Sequence, residues 1–152
     1  MSGSKKISVV IPTFNSLKRL DVIFRSIIKQ NNINFKSFEF IVVQNNEKYF
    51  NEIHPHFLKN KTIKVKIIKE KKIGLHYARN SGVKKSSTDN IILIDDDVSL
   101  SKNYLNNMQK SLKKYKLVGG PNLMKTEIKI PNWIKKNFII RINNNESYCK
   151  YL

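Results

Sequence analysis

Three consecutive carboxylates, Asp95-Asp96-Asp97, stand out because acid is otherwise rare in this chain. Lys and Arg number 29 against 11 Asp and Glu, so a run of three acids is a local exception to a basic background. Like charges a few ångströms apart repel, and ionising all three without a partner raises their pKa values. A divalent cation removes that conflict. Magnesium takes one or two protein carboxylates and completes its shell with water and phosphate oxygens. The outer pair, Asp95 and Asp97, would then act on different ligand groups. A solvated acidic turn is the plainer reading of the triplet taken alone. The Asp and Gly spacing of a calcium-binding loop is missing.

A second constellation lies upstream, Gly74-Leu75-His76-Tyr77-Ala78-Arg79-Asn80-Ser81-Gly82. A glycine turn opens a short helix with Arg79 and Asn80 on its first turns. Helix N-termini and arginine forks both suit phosphate or a nucleobase edge. The bland alternative is close packing of small residues against a sheet. Paired with the triplet downstream, the signal becomes specific. Other candidates are weaker. His54-Pro55-His56 has no third metal ligand nearby and reads as a surface turn. Trp133, Ile134, Phe138, Ile139 and Ile140, with Lys135 and Lys136, suit packing better than an interfacial membrane segment. Cys149 has no activating partner in view.

The elements that must position these groups alternate between strand and helix. Ile7-Ser8-Val9-Val10-Ile11 is a short apolar run stopped by Pro12, the pattern of a buried parallel strand. Asn15 or Ser16 can cap the next helix, where Leu17, Leu20, Ile23, Phe24, Ile27 and Ile28 recur at helical spacing and Asn31-Asn32 closes the run. Phe38 to Val43 is a second strand ending in Gln44-Asn45-Asn46. A weaker helical stretch uses Tyr49, Phe50, Ile53, Phe57 and Leu58. Ile63, Val65 and Ile67 alternate with lysines, as expected of a protected edge strand. A helix over about 75–85 leads to a fourth strand, Asn90 to Ile94. Ser101 can cap a last helix bearing Tyr104, Leu105, Met108, Leu112 and Tyr115. This order predicts an α/β fold, a mostly parallel sheet with right-handed crossovers. Ligands of such sheets bind beyond the carboxyl ends of the strands. The corners Thr13-Phe14-Asn15, Gln44-Asn45-Asn46 and Asp95-Asp96-Asp97 should therefore share one crevice.

The whole chain sets outer bounds. Its 152 residues and 40% hydrophobic content suit one domain with an ordinary core. There is no long apolar run of the kind that spans a membrane and no signal-peptide pattern. A single cysteine excludes an internal disulfide framework and fits a reducing, cytoplasmic compartment. The net charge of +18 comes from smeared lysine, with arginine confined to Arg19, Arg25, Arg79 and Arg141. That pattern argues against specific nucleic-acid contacts, and no nucleic-acid partner is expected. It leaves room for attraction to an anionic membrane surface, which gives a peripheral place at the inner face as a second expectation.

Four motifs in order carry a resemblance: Ile7 through Pro12-Thr13-Phe14-Asn15, Glu39 through Val43 with its polar corner, Gly74 through Ala78-Arg79-Asn80-Ser81-Gly82, and Ile92-Leu93-Ile94-Asp95-Asp96-Asp97. Over roughly residues 6 to 121 the chain resembles family 2 glycosyltransferases of the GT-A, Rossmann-like fold. The resemblance implies a nucleoside-diphosphate sugar as donor, a UDP-sugar first, and a glycan or lipid-linked acceptor. It implies Mg2+ or Mn2+ as cofactor and inversion at the anomeric centre, in glycan, lipopolysaccharide or capsule assembly. Pro12, Thr13 and Asn15 would line the nucleotide pocket, and Arg79 would approach the base or diphosphate. Asp95 would contact ribose or sugar and share the metal with Asp97. Asp96 is the middle position, which varies in the family. Gly119-Gly120-Pro121 resembles a strand that follows the metal motif in many members.

Two departures qualify this. The family commonly has an aspartate at the end of strand two, where this chain has Gln44-Asn45-Asn46; Gln44 or Asn45 could still pair with a base edge. The family's catalytic base lies well downstream of the metal motif, and only Glu127 and Glu146 follow Asp97, neither in that context. The expectation is a nucleotide-sugar-binding domain over 1–121 and an irregular extension over 122–152 leading toward an acceptor half not present. A donor-binding module without transfer activity of its own is the alternative.

Overall fold

The computed structural model describes residues 6–15, 17–51 and 62–120. The chain divides into two compact units, Met1–Lys116 and Leu117–Leu152, and the sheet and cleft described below belong to the first. The expected helix through Ile53, Phe57 and Leu58, the His54-Pro55-His56 turn, the Trp133 segment, Glu127, Glu146 and Cys149 lie outside the described residues.

Four strands, β1 (Ile7–Thr13), β2 (Phe38–Gln44), β3 (Val65–Lys69) and β4 (Ile91–Leu93), form one sheet in the order β3-β2-β1-β4. Every pairing is parallel. All seven residues of β1 are buried, as expected for a central strand covered on both faces. Pro12 does not stop the strand as its type suggested. It sits within β1, opposite Val43 of β2. The reason is directional. Ser8 N–H donates across to Asn90 on the β4 side, so the nitrogen of Pro12, two repeats on, faces the same side. β4 ends at Leu93 and Ile94 N–H makes the last bond to Val10, so the missing donor of Pro12 falls where the β1–β4 ladder stops while pairing with β2 continues. β3 forms the edge, with Lys64, Lys66 and Lys69 exposed.

Helices α1 (Asp21–Ile28) and α3 (Tyr104–Leu112) cover one face, and α2 (Leu75–Lys84) covers the other. On the first face Leu20 just before α1, Ile23, Phe24 and Ile27 of α1 and Leu105 of α3 pack on Val9, Ile11, Phe40 and Val42. Each such side chain contributes about 1.5–3 kcal/mol on burial. On the second face Ala78 joins Val10, Ile41 and Val43. Ile28 was expected on the buried stripe but is exposed. It is the last residue of α1, one position beyond the buried Ile27.

Ser101 also departs from expectation: the residue flanking α3 is Asn103, with no side-chain cap. The orphan amide of Leu105 instead donates to Gln30 Oε1 at 2.9 Å, and Gln30 Nε2 donates to the Ser101 carbonyl at 2.6 Å. The end of α1 thus serves the start of α3. Residues 117–120 form no strand, and Pro121 lies outside the described residues. Among the described residues no helix is long and apolar enough to cross a membrane.

Candidate functional site

The carboxyl ends of β1 and β4 and the amino end of α2 enclose a cleft of about 460 Å³. Pro12, Thr13, Asn15, Asn45, Asp95, Asp96 and Asp97 all line it, as their placement after strand ends led us to expect. Phe14, from the first of the expected corners, lines it too, and Ile73, Leu75 and Ala78 add an apolar lining that was not expected. Phe14, Ile73 and Leu75 are exposed apolar side chains clustered on one opening. The signal was present in Ile73-Gly74-Leu75, apolar residues on both sides of a turn glycine within a lysine-rich stretch.

The three acids are held differently, although they are adjacent. Asp95 accepts an ion-paired hydrogen bond from Arg79 Nη2 at 2.7 Å. Asp96 accepts from Thr13 Oγ1 at 2.5 Å and from Asn15 Nδ2 at 3.4 Å. Asp97 makes no hydrogen bond or ion pair among the described residues, and its side chain is exposed on the cleft. Charge repulsion in the triplet is therefore relieved by Arg79 on one acid and by hydroxyl and amide donors on the next. One carboxylate remains uncompensated. No group of three or more His, Cys, Asp or Glu side chains among the described residues is arranged to hold a metal. A magnesium-type ion needs only one or two protein carboxylates beside phosphate and water oxygens. Asp97, with Asp95 beside it, fits that demand.

Arg79, on α2, does not itself line the cleft and meets it through its ion pair with Asp95. Its Nε is buried without a hydrogen-bond partner among the described residues. Ala78 and Gly82 are buried against the sheet instead, the close packing that small residues in this constellation allow. A Cβ on Gly82 would collide with Val10 Cγ1 and press on Val43 Cγ2 at 3.0 Å. Gly74 starts the helix at φ +141, a conformation that side chains rarely adopt.

The amides at the end of β2 have other partners than the base edge expected for them. Gln44 is 1% exposed and does not line the cleft. Its Nε2 donates to the Asn15 carbonyl at 2.9 Å and its Oε1 accepts from Asn46 N–H at 3.0 Å. Asn45 Nδ2 donates to the carbonyls of Glu70 and Lys72 at 2.9 and 2.7 Å, while Oδ1 accepts from Gly74 N–H at 2.8 Å. Both amide protons of Asn45 are engaged. These two side chains fix the β1 corner and the glycine turn against β2, and so set the width of the cleft.

A family model described as glycosyl transferase family 2 matches residues 8–150. The chain belongs to that family. Solved structures with the same fold include S. aureus TarS 1-349 in complex with UDP, at 21% identity and a TM-score of 0.63. The match covers 83% of this chain and 38% of that one. The same TarS fragment in complex with UDP-GlcNAc matches at 19% identity and a TM-score of 0.60, over 83% of this chain and 37% of that one. The mannosyltransferase PcManGT from Pyrobaculum calidifontis, in complex with GDP-Man and Mn2+, matches at 14% identity and a TM-score of 0.57, over 89% of this chain and 39% of that chain. This family 2 chain therefore spans about two-fifths of the length of these structures. No curated protein matched it. The four-stranded parallel sheet with helices on both faces is the GT-A arrangement these structures share.

Proposed function

We propose that the cleft receives a nucleoside-diphosphate sugar, a UDP-sugar first, and that this family 2 chain supplies the donor side of sugar transfer to a glycan or lipid-linked acceptor. The observation that carries the reading is the convergence of Pro12 to Asn15, of Gly74, Leu75 and Ala78, and of Asp95 to Asp97 on one cleft. Its apolar opening at Phe14, Ile73 and Leu75 suits a base and ribose, and its acidic floor suits a cation-bound diphosphate. Ligands of the neighbours, UDP, UDP-GlcNAc and GDP-Man, support the same class.

In this reading Asp97 holds Mg2+ or Mn2+, with Asp95 sharing it or turning to ribose or sugar. The cation, when bound, offsets charge on the diphosphate and eases its departure. Arg79, already paired to Asp95, fixes that carboxylate and presents its remaining donors to the ligand. Thr13 and Asn15 hold Asp96, which keeps the loop bearing its two neighbours at the end of β1. Gln44 and Asn45 act through the backbone they brace. Transfer breaks the bond between the anomeric carbon and the diphosphate oxygen. The acceptor oxygen bonds that carbon from the opposite face, and a base takes its proton. No described residue is assigned as that base.

Hydrogen exchange read by mass spectrometry, with and without UDP and Mn2+, tests the placement. Protection is expected at 12–15, 73–79 and 95–97. Protection elsewhere, or none at saturating UDP, contradicts it.

A further inference from the structure

A second recess lies at the opposite, amino end of the sheet. It measures about 580 Å³, larger than the cleft, and four of its lining residues are lysines: Lys6, Lys36, Lys64 and Lys66. Each sits where a strand begins. Lys6 precedes β1, Lys36 lies in the 3-10 turn leading into β2, and Lys64 and Lys66 flank the first residue of β3. The parallel sheet brings these starts together, although they are far apart in sequence. Phe35, Phe38 and Phe40, which belong to the core on the α1 face, also line the recess, the Phe40 ring centroid lying 6.4 Å from that of Phe35 and 6.2 Å from that of Phe38.

Charge in this recess is poorly balanced. Lys66 Nζ donates to the Lys85 carbonyl at 3.3 Å, but the ammonium groups of Lys6, Lys36 and Lys64 have no partner among the described residues. Glu39 is the acid that lines the recess. Its Oε2 accepts from Ser8 Oγ at 2.8 Å and from Ser87 N–H and Oγ at 3.0 Å each. That carboxylate is thus turned to the serines, and three exposed lysines without a partner among the described residues line one hollow. The situation mirrors the aspartate triplet with the sign reversed.

We propose that this recess is a second binding site, for a phosphate-bearing anion, supplied either by a lipid headgroup or by a soluble polyphosphate. Lysine binds phosphate as a point charge, and lysines without an arginine fork suit an anion of loose geometry better than a base edge. Position separates this site from the donor cleft. The amino and carboxyl ends of the strands point opposite ways, so an anion held here leaves the cleft open.

The test uses the full chain in EDTA, in the Asp97→Ala background, so that the cleft contributes no cation-dependent binding. The probes are tripolyphosphate by calorimetry and phosphatidylglycerol vesicles by sedimentation, with phosphatidylcholine vesicles as the neutral control. Lys36→Gln/Lys64→Gln is compared with Lys110→Gln/Lys113→Gln on and beside α3, which carries the same charge change. Circular dichroism melts check that both remain folded. A loss of about tenfold in the first variant and little in the second supports the site. If the loss is seen with vesicles the source is lipid; if with tripolyphosphate alone, it is soluble. Binding of neither probe, an equal loss in both variants, or no loss in the first overturns it.

Discussion

Thr13 Oγ1 donates to Asp96 Oδ2 at 2.5 Å, joining the end of β1 to the middle of the acidic triplet across 83 residues of sequence. The same hydroxyl accepts from Asn15 N–H at 3.2 Å, so one buried side chain orders both its own corner and the carboxylate opposite. Thr13→Val keeps the shape and removes both bonds. It should lower stability by about 1 kcal/mol and weaken UDP binding by roughly fivefold, read by urea unfolding and calorimetry. Asp96→Asn retains an acceptor oxygen and should lose less. Binding by Thr13→Val equal to that of the parent would remove the tether from the account.

Arg79 and Asp95 are 37% and 53% exposed, so their ion pair contributes little to folding. Arg79→Gln should change stability by less than about 0.5 kcal/mol, yet reduce UDP affinity by roughly tenfold, because it removes the fork that fixes Asp95. A merely superficial partner would leave both quantities where they were.

Gly82 is a packing residue. Alanine is the better helix former by about 1 kcal/mol, but its methyl would overlap Val10 and crowd Val43 in the sheet. Overpacking of that kind costs about 1–3 kcal/mol, so Gly82→Ala should lower the melting temperature. A rise would show that α2 lies farther from the sheet than described.

Glu39 supplies a pH dependence. Burial alone would raise its pKa, but hydrogen bonds from Ser87 N–H, Ser8 Oγ and Ser87 Oγ, helped by Lys66, outweigh it and hold it below 4.5. A depressed carboxylate stabilises the fold above its unfolded pKa, and that contribution fades as pH falls through the folded value. Glu39→Gln should therefore be less stable than the parent at neutral pH, with the gap in urea midpoint closing as pH drops below 4.5. A gap that stays constant with pH would mean that the charge is not what the serines recognise.

Much of this arrangement was legible in the sequence. Short apolar runs and helical spacing located β1, β2, β3, α1 and α2, because burial on both faces of a parallel sheet leaves little freedom of pattern. The shared crevice followed from strand ends alone. What stayed hidden depended on partners distant in sequence. Gln44 and Asn45 could have faced a base or a backbone carbonyl, and nothing local distinguishes those fates. Gln30 serves α3 from 75 residues away, so Ser101 looked like the better cap. Pro12 was misread because its missing donor matters only on a side where β4 has already ended.

Calorimetry of UDP binding with Mn2+, repeated in EDTA and with Asp97→Ala, tests the cation-bridged cleft most directly. Mn2+ should tighten binding by at least about tenfold, EDTA should abolish that gain, and Asp97→Ala should bind alike under both conditions. Equal affinity with and without Mn2+ in the parent chain would contradict a metal held by Asp97.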